Sequence, residues 1–395
     1  MDDRSIEALE DVAEAQPRLE ALVRRILEEA AANGASGAEV GVNRDTGLSV
    51  TVRRGEIETV EFNRDQGFGI TVYFGQRKGS ASTSDSSEKA IGETVRAACN
   101  IARYTEEDPF NGLADASLMP DPEAAPDLDL YHPWEIGPEE AETLALDCEA
   151  RALGFDPRIG NSEGASVTTG QGCHVYGNSH GFVGGYSSTR HSLSCAVIAS
   201  EGEDMQRDYW YTMARVADEL ESPTAVGEMA GQRTVARLGA RAIDTRQVPV
   251  VYAAEIAGGV IGHFVAAISG GALYRNASFL LDSLGEQIFP DHVTIDERPL
   301  LPGGIASAWF DGDGVATRAK AFVRGGVLES YCLGTYAARK LGMTSTGNAG
   351  GVHNLFITTG DKSRAELLRA RDRGFLVTEL MGFGVNMVTG DYSRG

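Results

Sequence analysis

The sequence predicts an α+β protein: a helix–antiparallel meander–helix N-terminal domain, then a β-rich C-terminal domain built around a buried apolar helix. Three observations predict it. Residues 38–83 alternate apolar and polar side chains, as half-buried strands do. Segments with helical spacing flank that stretch on both sides. Ala257 to Tyr274 runs for eighteen residues with only His263 and Ser269 as polar side chains.

In chain order, residues 1–18 read as a disordered or frayed N-terminus. Pro17 opens a helix in which Leu19, Leu22, Val23, Ile26, Leu27 and Ala30 share a face, and Asn33-Gly34 stops it. Val40, Leu48, Val50 and Val52 begin the meander; turns are expected at Arg54-Gly55, Asp65-Gln66-Gly67 and Gly75. Ser86 or Ser87 caps a second helix carrying Ile91, Val95, Ala98 and Ile101. Residues 104–135 hold five of the thirteen prolines and nine acidic residues, which reads as a linker or an extended wrap. Pro138 opens a helix to about 153. Residues 157–216 are strand-like with glycine turns, and a helix covers about 224–243. The N-terminal α+β domain is therefore 19–245 and the C-terminal domain 246–395. In the latter, strands are expected at 248–253, 319–323, 355–359 and 375–379, and helices at 334–341 and 362–374.

Charge excludes some functions. The net charge is −22, and fourteen acidic residues but no Lys or Arg lie between Arg103 and Arg151. Nucleic acid and anionic membrane need basic surface, so neither is an expected partner. The 257–274 run is short and glycine-rich for a membrane span. The five cysteines are scattered without CxxC spacing, and the first residues lack an apolar signal core; both fit a cytoplasmic protein.

Few residues suggest chemistry by themselves. Gly160–Gly164 and Gly177–Gly181 match Gly-x-Ser-x-Gly, which would make Ser162 or Ser179 a hydrolase nucleophile. No helix follows either serine, so hairpin turns are expected instead. Cys173 and His174 are adjacent on a strand and point to opposite faces, so they do not form a metal pair with His180 or His191. Asp311 and Asp313 read as a turn, since other calcium ligands are absent. The small residues from Thr346 to Gly351 would let a peptide backbone approach and add as a strand; a solvent-exposed flexible loop is the equal alternative.

Longer stretches carry a resemblance. Asn178-Ser179-x-Gly181-Phe182, GGVIGHFVAAISGGALYRNASFL and FDGDGVATRAKAFVRGGVLESYCLGTYAARKLGMTSTGNAGG resemble the TldD/PmbA peptidase family, in its PmbA (TldE) branch. The resemblance covers the chain from about residue 19. It implies a two-subunit metalloprotease acting on unfolded or leader peptides. Zinc is expected in the TldD-like partner, on a His-Glu-x-x-x-His helix completed by a later cysteine. In this chain the motif falls on Gly258, Gly259 and His263, and no cysteine follows Cys332. One imidazole does not hold catalytic zinc, so no metal, cofactor or catalytic residue is expected here. On composition, Thr346, Gly347, Asn348 and Ala349 are the candidate peptide or partner cleft. The resemblance implies a heterodimer with a TldD-like chain, or a homodimer in isolation. It also implies a truncated C-terminal domain lacking a strand pairing. A gyrase-modulator type of regulatory module and a stand-alone serine hydrolase are the alternatives.

Overall fold

A computed structural model describes residues 12–370, 373–382 and 384–395. The described residues form two compact units, 12–107 with 129–242, and 108–128 with 243–395. The chain is α+β, as its patterning predicts.

Unit 1 is a six-stranded antiparallel sheet with four helices. In chain order these are α1 (Gln16–Ala32), β1 (Gly37–Arg53), β2 (Glu56–Phe74), β3 (Arg77–Thr83), α2 (Glu88–Tyr104), α3 (Pro138–Leu153), β4 (Ile159–Asn178), β5 (Val183–Glu201), β6 (Asp204–Ala214) and α4 (Pro223–Ala236). The strand order is β3-β2-β1-β4-β5-β6. Every even-numbered residue of β1 from Ala38 to Val52 is buried. That single parity makes one face of the sheet the inner one. Val40 and Val42 pack with α1 and α2, while Leu48, Val50 and Val52 pack with α3 and α4. Each such buried aliphatic contributes roughly 1.5–3 kcal/mol.

Local chemistry sets the ends. Arg54 and Gly55 both have positive φ, as a two-residue hairpin turn requires. The buried carboxylate of Glu149 on α3 accepts from both turn amides at 2.8 Å. Ser87 caps α2 by accepting from the Ala90 amide. A side chain at Gly79 would drive into the Ala98 carbonyl and the Ala102 amide, so only glycine lets α2 lie on β3.

Three expectations need correcting. Residues 12–18 are not frayed: Val12 and Ala15 are buried and α1 starts at Gln16; residues 1–11 lie outside the described residues. Asp65-Gln66-Gly67 is no turn, because Gly67 and Gly69 pair with Asn43 and Gly41 inside one long strand. Gly160–Gly164 is likewise inside β4, at its two register shifts.

Unit 2 has shorter elements: β7 (Val250–Tyr252), α5 (Ala254–Ala267), α6 (Gly270–Tyr274), β8 (Ile295–Glu297), β9 (Lys320–Arg324), β10 (Val327–Leu328), α7 (Thr335–Lys340), β11 (Leu355–Ile357), α8 (Arg364–Arg369) and β12 (Phe375–Val377). A four-stranded sheet has the order β10-β9-β8-β11, and β7 pairs with β12 in parallel. Phe322, Ile295, Leu328, Ile268 and Leu333 form the centre of its core. Part of the stretch read as a linker belongs to this unit. Arg339 on α7 donates to the carbonyls of Phe110, Gly112 and Leu113, and the Tyr336 hydroxyl donates to Asp108 at 2.7 Å.

No helix among the described residues is long and apolar enough to cross a membrane. The apolar run instead splits at Ile268 into α5 and α6. Within α5 only Phe264 and Ala267 are buried. The helix is thus covered on one side rather than enclosed.

Candidate functional site

The first part of the site is the middle of α5. Gly258, Gly259 and Gly262 are exposed, and a Cβ at any of them would meet nothing within 4 Å. His263 is half-buried on the same helix. Its Nε2 accepts from Arg394 Nη2 at 2.8 Å, and its ring lies 6.0 Å from that of Tyr392, edge to face. An arginine cannot give up its charge, so Nε2 is unprotonated and the proton sits on Nδ1. Burial, and then the Arg394 charge, hold the His263 pKa below the usual value.

The second part is the loop 346–353, and a buried carboxylate anchors it. Glu297 on β8 is fully buried. Its Oε2 pairs with Lys320 Nζ on β9 at 2.5 Å. Its Oε1 accepts from Asn348 Nδ2 at 2.8 Å, from the His353 amide at 2.7 Å and from His353 Nδ1 at 3.1 Å. Burial pushes the Glu297 pKa up, but the His353 and Lys320 contacts outweigh it and the net shift is downward. Glu297 therefore stays ionised.

The remaining anchors come from the Asp311–Gly314 turn. Asp311 accepts from the amides of Ala349, Asp313 and Val315 at 2.8–2.9 Å. Burial nevertheless pushes its carboxyl up to about 6. Gly312 donates to the Ala349 carbonyl, and Lys320 donates to the Thr346 carbonyl. Thr346 Oγ1 donates to Asn348 Oδ1 at 2.8 Å. Gly347 needs its positive φ, and a Cβ there would lie 2.8 Å from the Ala316 carbonyl. Thr346 to Ala349 is thus a braced loop. The amides of Thr346 and Ala349 already have partners, so this stretch does not offer the open strand edge that its composition suggested.

Other sequence candidates fall apart. Ser162 is fully buried, and its Oγ accepts from the Gly164 amide. Ser179 sits in the β4–β5 turn, where its Oγ accepts from the Ala38 amide. No imidazole contact to either hydroxyl occurs among the described residues. Cys173 is buried among α1 and α2 residues, while His174 bonds Asn43 on the opposite face. Cys332 is buried, and burial, then the Glu297 charge, push its thiol up to about 12.

Sequence reading missed Glu297, Lys320, His353 and Arg394. The signal for Glu297 is parity: it stands two residues from buried Ile295 on one strand and so faces inward.

These donors do not fit the zinc that the motif would hold. Two of its three positions are glycine, and the lone imidazole nitrogen facing Arg394 is occupied. Among the described residues, no three His, Cys, Asp or Glu side chains come together as metal ligands.

The architecture and site define a two-unit α+β chain whose α5 helix carries one histidine, with no cluster of metal-ligating side chains among the described residues. Comparison with known proteins places it. The three domains of the PmbA/TldA metallopeptidases match in succession, domain 1 over residues 38–102, the central domain over 131–238 and the C-terminal domain over 245–395. Metalloprotease PmbA of Escherichia coli O157:H7 is 51% identical over 379 residues, covering 94% of this chain and 84% of that one. The chain belongs to the PmbA/TldD metallopeptidase family. A solved Bacteroides thetaiotaomicron structure, described as a candidate modulator of DNA gyrase, superposes with a TM-score of 0.91 at 28% identity, over 96% of this chain and 86% of that one. TldE from Thermococcus kodakarensis shares the fold, with a TM-score of 0.73 at 20% identity over 92% of this chain and 83% of that one.

Proposed function

We propose that this chain is the non-metal subunit of a TldD–TldE-type metalloprotease that degrades or processes unfolded or leader peptides. One observation carries the reading. Where the motif needs two imidazoles and a carboxylate, this chain has Gly258, Gly259 and an imidazole whose Nε2 is bound by Arg394. Zinc and the water it activates belong to a TldD-like partner in a heterodimer; in isolation the chain forms a homodimer. This chain contributes shape. The braced Thr346–Ala349 loop is a rigid wall of the peptide or partner cleft, and rigid walls position substrates better than mobile ones. Five free, buried cysteines fit a reducing cytoplasm.

Co-expression with a His-Glu-x-x-x-His paralogue tests the proposal. Chelator-sensitive peptide cleavage by the pair, and by neither chain alone, is expected. Full activity of the isolated paralogue sinks it. The Bacteroides relative described as a candidate gyrase modulator favours a second reading, a regulatory protein-binding module. Recovery of only a TldD-like chain in a pull-down counts against that one.

A further inference from the structure

The inner face of the sheet in unit 1 is apolar at both ends and polar in the middle. Along β1 the buried even-numbered positions run Val40 and Val42, then Arg44 and Thr46, then Leu48 and Val50. On β2, Gln66 stands opposite Arg44 and Arg64 opposite Thr46, so both share that face. Arg44, Arg64 and Gln66, with Arg18 on α1 and Ser86 just before α2, line a cavity of about 350 Å³ that the reading above does not use. Arg18 and Arg64 are exposed, and Arg44 is only 4% exposed.

Three guanidinium groups line one cavity in a chain of net charge −22. Among the described residues, Asp65 is the one carboxylate on the cavity wall, and it stands opposite Asp45, on the other face of the sheet. Burial, and then the Asp65 charge, push the Asp45 carboxyl up, which puts the two carboxyl groups together on that face. The first carboxylates of α1 and α2 are engaged elsewhere, Glu20 with Arg24 at 3.4 Å and Glu88 with Arg25 at 2.9 Å. The helix ends add charge of the same sign. α1 has no acidic residue in its first turn and carries Arg18 there, and Ser86 precedes the N-cap of α2. A helix N-terminus is partly positive, so a cation in that turn is unfavourable unless an anion joins it. Arg18 and Arg44 each take part in an interaction inside the chain. The five N–H donors of a guanidinium leave others for a ligand.

We propose that this cavity binds a phosphoryl group. A carboxylate offers two oxygens and one charge, which a single guanidinium fork satisfies. A phosphoryl group offers three accepting oxygens and nearly twice the charge, and so engages two arginines at once. Arg18 and Arg64, the two exposed arginines, hold its oxygens, and the Gln66 amide and the Ser86 hydroxyl share the same wall. The buried charge of Arg44 adds an attraction that solvent screens weakly. The cavity is larger than one phosphate fills, so the group can arrive on a small molecule or on a phosphorylated side chain. No residue of α5 or of the loop 346–353 lines it, and the proposal stands independently of the peptidase-subunit reading.

Isothermal titration calorimetry of the purified full chain with inorganic phosphate, at constant ionic strength, tests it. Saturable binding is expected. Arg18→Gln and Arg64→Gln, both at exposed positions, each weaken it about tenfold, the size of one charge-assisted hydrogen bond. Arg24→Gln makes the same charge change on α1 outside the cavity and leaves binding unchanged. Melting temperatures of the three variants in chloride stay within about 2 °C of the parent, which separates a lost site from a lost fold. O-phosphoserine and ribose 5-phosphate carry the same group on two kinds of carrier, and the tighter of them identifies the source. If neither exceeds inorganic phosphate, the free ion is the ligand. Absence of saturable binding, equal weakening by Arg24→Gln, no effect of Arg18→Gln and Arg64→Gln, or tighter binding of glutarate than of phosphate overturns the proposal.

Discussion

Replacing Glu297 by glutamine tests whether the loop 346–353 is held by one buried carboxylate. The substitution keeps the shape and removes the charge. Lys320, whose side chain is 18% exposed, then lacks its counter-ion at 2.5 Å. Breaking a buried pair from one side costs about 3–5 kcal/mol. Oε1 accepts three bonds, from Asn348 and twice from His353, so a donor is also orphaned if the amide nitrogen takes that position. An orphan costs about 1–3 kcal/mol, and the losses do not add because they share one group. We expect about 4 kcal/mol. At about 2–4 °C per kcal/mol for a unit of this size, the thermal transition of the unit that holds Glu297 falls by roughly 10 °C. Hydrogen exchange should rise first in 346–353, as calorimetry and exchange mass spectrometry together can read. A drop under about 2 °C, with exchange of that loop unchanged, refutes the reasoning.

Other outcomes follow from the same contacts. Arg394→Ala frees His263 Nε2 and removes a like charge, so the His263 titration followed by NMR should move up toward the usual imidazole value; no movement contradicts the contact. Asp311 holds its proton more tightly folded than unfolded, so its contribution to stability falls as pH rises from about 4 to about 6. Asp311→Asn should flatten that slope in denaturant titrations. Glu297 behaves oppositely: its folded pKa is depressed, so its contribution is present above the ordinary carboxylate value and lost below it as pH falls through the folded value. Gly258→Ala should stabilise α5 by about 0.5–1 kcal/mol, since a Cβ there meets nothing; destabilisation would mean the face is covered. Gly79→Ala should cost several-fold more than that, because backbone of α2 lies in the way.

Much of unit 1 was legible because its chemistry is local. Alternation located β1, and positive-φ preference located the Arg54-Gly55 turn. Gly67 and Gly69 misled because glycine inside a long strand looks like punctuation until its pairing on both sides is known. The apolarity of α5 was read as burial, yet composition does not say which face another element covers. The site was legible only as an absence, Gly258 and Gly259 where ligands belong. Its positive features depend on distant pairings that no spacing reveals: Arg394 meets His263 across 131 positions, and Glu297 meets His353 across 56.

The central claim is that this chain holds no catalytic metal and that its partner does. Zinc content, measured on the purified chain and on its complex with a His-Glu-x-x-x-His paralogue, tests it most directly. No bound zinc is expected in the chain and one per heterodimer in the complex, unchanged by His263→Ala. Stoichiometric zinc in the isolated chain, lost in His263→Ala, contradicts it.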